Sequence, residues 1–157
     1  MADELDLKDR HTVVETCLSM TRYIDERRWD DLEQVFADDI EIDYTSIFGG
    51  RVATTTRAEY GRTARALLGN LDATQHLVAG HIVTGSGDDA RCVSQVQAVH
   101  IKANRTGDAH FTVGAQYDMR LVRIAGEWRI KAVTATFRWA SGNREVMRLG
   151  KLPRSDA

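Results

Sequence analysis

Apolar residues recur at helical spacing from Asp9 to Arg28. At about 100° per residue, Val13, Val14, Cys17, Leu18, Met20, Thr21 and Ile24 share one arc, while Glu15, Ser19, Arg22, Tyr23 and Glu26 lie opposite. A second short helix is predicted from Trp29, with Leu32, Val35 and Phe36 as its inner positions. "IEIDY" then alternates with period two, so Ile40, Ile42 and Tyr44 share one face of a strand. "FGGRV" supplies a glycine turn. "TTTRAEYGRTARALLGNL" is a third helix, with Thr56 as N-cap before Glu59 and Gly69 near its stop.

From Ala73 the pattern changes to long β-rich runs over 74–84, 90–103, 109–123 and 127–139, separated by "GSGDD", "NRTGD" and "AGE". Long strands with short connections form an antiparallel meander. The one proline, Pro153, lies beyond the last strand, so no strand is interrupted. Residues 144–157 read as a C-terminal surface extension of a single domain spanning 1–157, a segment that a neighbouring subunit could order. Such an α+β layout must cover one face of a curved sheet with its segregated helices, and a cone between the two layers is the natural ligand site.

Composition limits the partners. A chain of 157 residues with 43% hydrophobic content holds one core, and a net charge of -2 with intermixed signs offers no extended basic face for nucleic acid. No apolar run approaches a membrane span, and the charged start "MADELDLKDR" is unlike a signal peptide, so a soluble cytoplasmic protein is expected. Cys17 and Cys92 have no close-spaced partner and read as reduced core residues. No phosphate loop, metal-ligand spacing or nucleophile elbow is present, so neither a metal nor a cofactor is expected.

The candidate chemistry begins with a misplaced charge. Asp25 projects between Val14 and Leu18, within the apolar arc, where a carboxylate needs a polar partner. His76 is that candidate, since strand parity places it with Val78 and Ile82. An Asp accepting the Nδ1 proton would orient the ring, fix its tautomer and raise its basicity, leaving Nε2 free to take a proton. The plainer alternatives are a structural strand histidine, and an Asp bonded to backbone amides or to Arg27 or Arg28. His100 shares a face with Val96 and Ala98 and is a second possible cavity residue. His81 has the opposite parity to His76 and is assigned to the surface or an interface, and His110 to a strand edge. Tyr44 could offer a phenol to a substrate oxygen or simply pack. Trp128, Phe137 and Trp139 lie at strand spacing, where core or interface filling is the ordinary role.

"YIDERRWDDLEQVFADDIEIDY", "TQHLV" and "GEWRIKAVTATFRWASGN" together, in this order and separation, resemble the SnoaL-like branch of the nuclear transport factor 2-like (cystatin-like) superfamily over nearly the whole chain. The resemblance implies an α+β cone-shaped barrel, a curved mixed and mainly antiparallel sheet covered by N-terminal helices. Within the branch the pattern is similar to scytalone dehydratase, bile-acid 7α-dehydratase and hexachlorocyclohexane dehydrochlorinase, whose catalytic Asp and His correspond to Asp25 and His76. It implies a cofactor-free lyase or isomerase that abstracts a proton from a small, largely apolar or polycyclic substrate. Tyr44 and His100 are then donors to a leaving hydroxyl or enolate, and Tyr44, His100, Met20 and Trp139 form the candidate substrate-binding set. Met20 is a departure, because some of these relatives carry a polar Tyr or Lys five residues before the aspartate. Other members of the superfamily are non-catalytic ligand-binding or assembly domains with a filled cone. Polyketide cyclisation and epoxide hydrolysis also occur on the fold, the latter with an Asp-Arg-Asp cluster for which the sequence offers no clear match. Sheet faces in the superfamily commonly pair, so a homodimer or homotrimer is expected.

Overall fold

The computed structural model describes residues 4–151. Helix α1 (Leu7–Asp25) starts where the Asp6 carboxylate accepts the Asp9 amide at 2.7 Å and buries Val13, Cys17, Met20, Thr21 and Ile24. The buried stripe is narrower than the projected arc. Val14 is only half-buried and Leu18 is exposed, so Asp25 sits on the flank of the stripe. The helix stops before Arg27, a non-glycine residue with φ of +61°, and a short 3₁₀ helix (Trp29–Gln34) follows. Leu32 inside that helix, and Val35 and Phe36 just after it, are buried as expected.

Strand β1 (Phe36–Asp43) begins four residues earlier than the alternation predicts. The stretch predicted as a turn holds more: a one-turn helix α2 (Thr45–Phe48) and an edge strand β2 (Ala53–Thr56) flank Gly49 and Gly50, both at positive φ. Helix α3 (Arg57–Leu68) is capped by the Thr56 hydroxyl, which accepts the Glu59 amide at 3.2 Å, and ends at Gly69, as the sequence predicts. The meander follows as β3 (Ala73–Ser86), β4 (Asp89–Ile101), β5 (His110–Ile124) and β6 (Glu127–Gly142). A curved, open six-stranded sheet in the order β2-β1-β6-β5-β4-β3 results. It is antiparallel except where β1 runs parallel to β6.

A bulge redirects side chains. In β3 the register slips between Ala79 and Ile82, with Gly80 at φ of +69°. Before the slip His76 and Val78 face inward; after it Val83 is buried opposite Cys92, and Ile82 is 67% exposed. Ile82 therefore does not share a face with His76 and Val78, because the extra residue reverses the parity. His81, expected at the surface, is half-buried at the bulge, with its Nε2 sealed from solvent and without a partner among the described residues.

The described part of the C-terminal extension is not a loose surface segment. Residues Glu145–Leu149 form a short helix, α4, with Val146 fully buried. Asn70 grips its end: the Asn70 side-chain amide donates to the Leu149 carbonyl and its backbone amide to that of Gly150, both at 3.1 Å. A side chain at Gly150 would meet the Leu71 side chain at 2.7 Å, so any larger residue there would have to displace Leu71. Residues 152–157 of the predicted extension lie outside the described residues.

Candidate active site

Small side chains on the sheet leave space under the helices. Ala98 on β4, Ala115 on β5 and Ala135 on β6 stand where larger residues would meet Ile24 of α1 and Tyr60, Ala64 and Leu68 of α3. The result is a cavity of about 740 Å³, bordered on one side by α2 and on another by α4, where the exposed Arg144, Arg148 and Lys151 mark its mouth. Its surface is mostly aliphatic. His76, His100, Tyr44, Tyr60 and Tyr117 supply its polar groups deep among the apolar ones.

Asp25 and His76 meet as the sequence predicts. The carboxylate receives three bonds from β3: the Thr74 hydroxyl at 2.9 Å, the His76 backbone amide at 2.8 Å and His76 Nδ1 at 2.7 Å. Arg27 and Arg28, the plainer partners, are committed elsewhere. Arg27 donates to the carbonyls of Leu68 and Leu71, and Arg28 pairs with Asp31 and Glu26. Burial pushes the pKa of the Asp25 carboxyl up, but the ring, amide and hydroxyl of β3 outweigh it and hold the group below the ordinary carboxylate range. A carboxylate can only accept, so Nδ1 carries a proton and, in the neutral ring, the lone pair lies on Nε2. The His76 side chain is 7% exposed, and its Nε2 opens on the cavity with no protein partner among the described residues.

His100 lines the same cavity, with its ring centre 6.3 Å from that of His76. Its Nδ1 lies 3.2 Å from the Phe111 carbonyl, which again places the proton on Nδ1. Burial, and then the neighbouring His76, push its pKa down to about 4. His100 is therefore a neutral acceptor at Nε2, which corrects the expectation that it donates a proton.

Donors come from tyrosines. The Tyr44 and Tyr60 hydroxyls are 3.1 Å apart, so one donates to the other and the accepting hydroxyl keeps a proton for the cavity. Burial raises the pKa of both and of Tyr117, so all three are neutral phenols near neutral pH. Tyr60, Tyr117 and Thr74 were absent from the candidates. Their signals were there: Tyr60 shares the buried face of α3 with Ala64, Tyr117 the parity of Val113 and Ala115, and Thr74 the parity of His76.

Two candidates fall away. Met20 is fully buried in the core and does not line the cavity. Trp139 lies on the other face of the sheet, 43% exposed, because a slip in the β5–β6 register lays its ring over Gly114. A Cβ at Gly114 would come within 2.2 Å of that ring. His110 is half-buried at the start of β5, bonded to the Thr112 hydroxyl at 2.6 Å and outside the cavity lining. The fold does form an Asp-Arg-Asp cluster that the sequence pattern did not show. Arg123 holds Asp9 through two bonds of 2.9 and 2.7 Å and Asp88 through one of 3.1 Å. None of the three lines the cavity, so the cluster braces α1 against the β3–β4 hairpin. No group of three or more His, Cys, Asp or Glu side chains converges as a metal site among the described residues, and no described helix is long and apolar enough to cross a membrane.

The sequence model of the SnoaL-like domain matches residues 5–134. Among curated proteins none matches the chain. Solved structures share the fold. The Kfla4162 protein from Kribbella flavida has a TM-score of 0.85 at 29% identity over 90% of this chain and 97% of its own. A protein from Novosphingobium aromaticivorans provisionally named a scytalone dehydratase has a TM-score of 0.76 at 18% identity, covering 96% of each chain. Hexachlorocyclohexane dehydrochlorinase type 3 from Novosphingobium barchaimii has a TM-score of 0.73 at 13% identity over 88% of this chain and 92% of its own.

Proposed function

The chain belongs to the SnoaL-like domain family, and from that premise we propose that it is a cofactor-independent lyase or isomerase. It acts by proton abstraction on a small, largely apolar or polycyclic molecule. One observation carries the proposal: a histidine fixed on its Nδ1 by a half-buried carboxylate presents its Nε2 to a large apolar cavity. His76 takes a proton from carbon, and Asp25 keeps the ring in register and compensates the imidazolium that forms. The electron pair left on carbon moves toward an adjacent oxygen or leaving group, where the Tyr44–Tyr60 pair supplies the hydrogen-bond donor. His100 accepts from a substrate hydroxyl through Nε2. Dehydratase and dehydrochlorinase neighbours of the same fold favour this class. An assembly domain would have its cone filled with side chains, and an epoxide hydrolase would bring its Asp-Arg-Asp cluster into the cavity.

The test needs no knowledge of the natural substrate. 5-Nitrobenzisoxazole is small and apolar, and its ring opens once a single C–H proton is removed. The native chain is expected to accelerate that opening, and His76→Ala to lose about 10²–10⁴-fold, the usual contribution of a positioned base. Unchanged opening in a folded His76→Ala protein would remove His76 as the base. We also propose a homodimer or homotrimer. Leu77 (57%), Ile82 (67%) and Trp139 (43%) are apolar side chains exposed on the sheet strands, a surface that self-association would cover. A monomer in sedimentation at micromolar concentration would count against it.

A further inference from the structure

We propose that the substrate carries a carboxylate, which stays at the cavity mouth and is held there by Arg144 and Lys151 while the apolar body reaches the interior. This inference rests on the cavity being a substrate site. Three cations, Arg144, Arg148 and Lys151, line the mouth with a single carboxylate, Glu145. Glu145 is paired with Arg148. Among the described residues neither Arg144 nor Lys151 has a carboxylate within ion-pair distance, so the described rim presents a net positive charge over an apolar opening.

The placement is built, not incidental. Helix α4 is fastened to the end of α3 by the two Asn70 bonds, the fully buried Val146 and the close seat of Gly150 on Leu71. The Arg144 guanidinium lies 5.8 Å from the centre of the Phe111 ring. That ring is buried at the start of β5, and its backbone carbonyl holds His100. The cation is thus positioned by the same residue that orients the inner imidazole.

The interior decides where a substrate charge can go. Its walls are aliphatic side chains, neutral phenols and a neutral His100, and the Asp25 charge is already met by His76 and Thr74. A second charge inside would go unmatched at high cost. At the rim it remains partly hydrated and meets a guanidinium whose fork matches a carboxylate. The molecule that fits is therefore amphipathic: a polycyclic or branched apolar body with one ionised end, entering body first.

Fluorescence titration of the full chain with 1-pyrenebutyrate and its neutral alcohol, 1-pyrenebutanol, tests the idea. The carboxylate is expected to bind about tenfold tighter than the alcohol, the size of two partly screened ion pairs. The preference should shrink as salt is raised. In the double variant Arg144→Gln, Lys151→Gln it should disappear, with the alcohol binding as before. His76→Ala should retain the full preference, which separates this idea from the proposed base: base failure shows in ring opening, clamp failure in binding. Equal affinity of the two probes, binding of neither, or a preference that survives the double variant would each overturn the clamp.

Discussion

The inner face of one sheet serves two ends in opposite ways. Toward the β3–β4 hairpin the strands place Cys92, Met119, Leu121, Ile130 and Val133 against Val13, Cys17 and Phe36, all buried to within a few percent. Cys17 and Cys92 are free thiols buried in this layer. Toward the other end the same strands place Ala98, Ala115 and Ala135, and a cavity of about 740 Å³ takes the place of side chains. The polar inventory follows the split. Among the inward residues of the filled end there is almost nothing to titrate apart from the thiols, whereas the open end concentrates two imidazoles and three phenols. Packing one end to the density of a protein interior lets the other remain hollow without loss of the fold.

Substitutions at the two ends should separate these roles. Leu121→Ala, at a site with no exposure, is expected to cost about 2–5 kcal/mol in urea unfolding. A cost near zero would show that the filled end is not tightly packed. At the open end the largest stability effect depends on pH. Folding lowers the pKa of His100 from the ordinary 6.5 to about 4, so the unfolded chain binds the extra proton between those values and stability rises with pH there. Acidification from pH 6.5 to 4 should remove about 3 kcal/mol through this group. His81, also pushed down by burial, slopes the same way, so the quantity to read is the difference between native chain and His100→Gln. A slope identical in both would deny His100 its buried neutral state.

Asp25→Asn keeps the shape but presents an amide where three β3 donors converge. It is expected to cost about 1–3 kcal/mol and to abolish ring opening. Full stability and activity in this variant would make the carboxylate dispensable. The smallest effect should be Ala135→Leu. Its added carbons enter space already empty, so stability should change by less than about 1 kcal/mol while pyrene binding weakens severalfold. A large loss of stability would mean that the open end is in fact packed.

The Asp25–His76 pair was legible because each residue breaks a local pattern, a charge at the edge of an apolar stripe and an imidazole at an inward strand position ahead of any bulge. Past Gly80 the same parity argument assigns Ile82 to the wrong face, since a bulge adds a residue without altering the apolar alternation that signals a strand. Trp139 was misplaced for a related reason: the slip beside Gly114 belongs to the pairing of two strands and is not written in either one. Helix α2 and strand β2, four residues each, are too short to show a period, and the parallel β1–β6 pairing is settled by the whole sheet. The hollow was unreadable from Ala98, Ala115 and Ala135 singly, because an alanine in a strand reads the same over a void as over a close neighbour.

Arg27 links parts of this arrangement that lie far apart in the chain. Its backbone turns α1 off just past Asp25, and its guanidinium ties down the Leu68 and Leu71 carbonyls at the end of α3, the helix that carries Tyr60. The helix that carries Asp25 and the helix that carries Tyr60 therefore share a single clasp. With one side chain gripping both helix ends, the spacing between the proposed base and its proposed phenol donor depends on the same two hydrogen bonds.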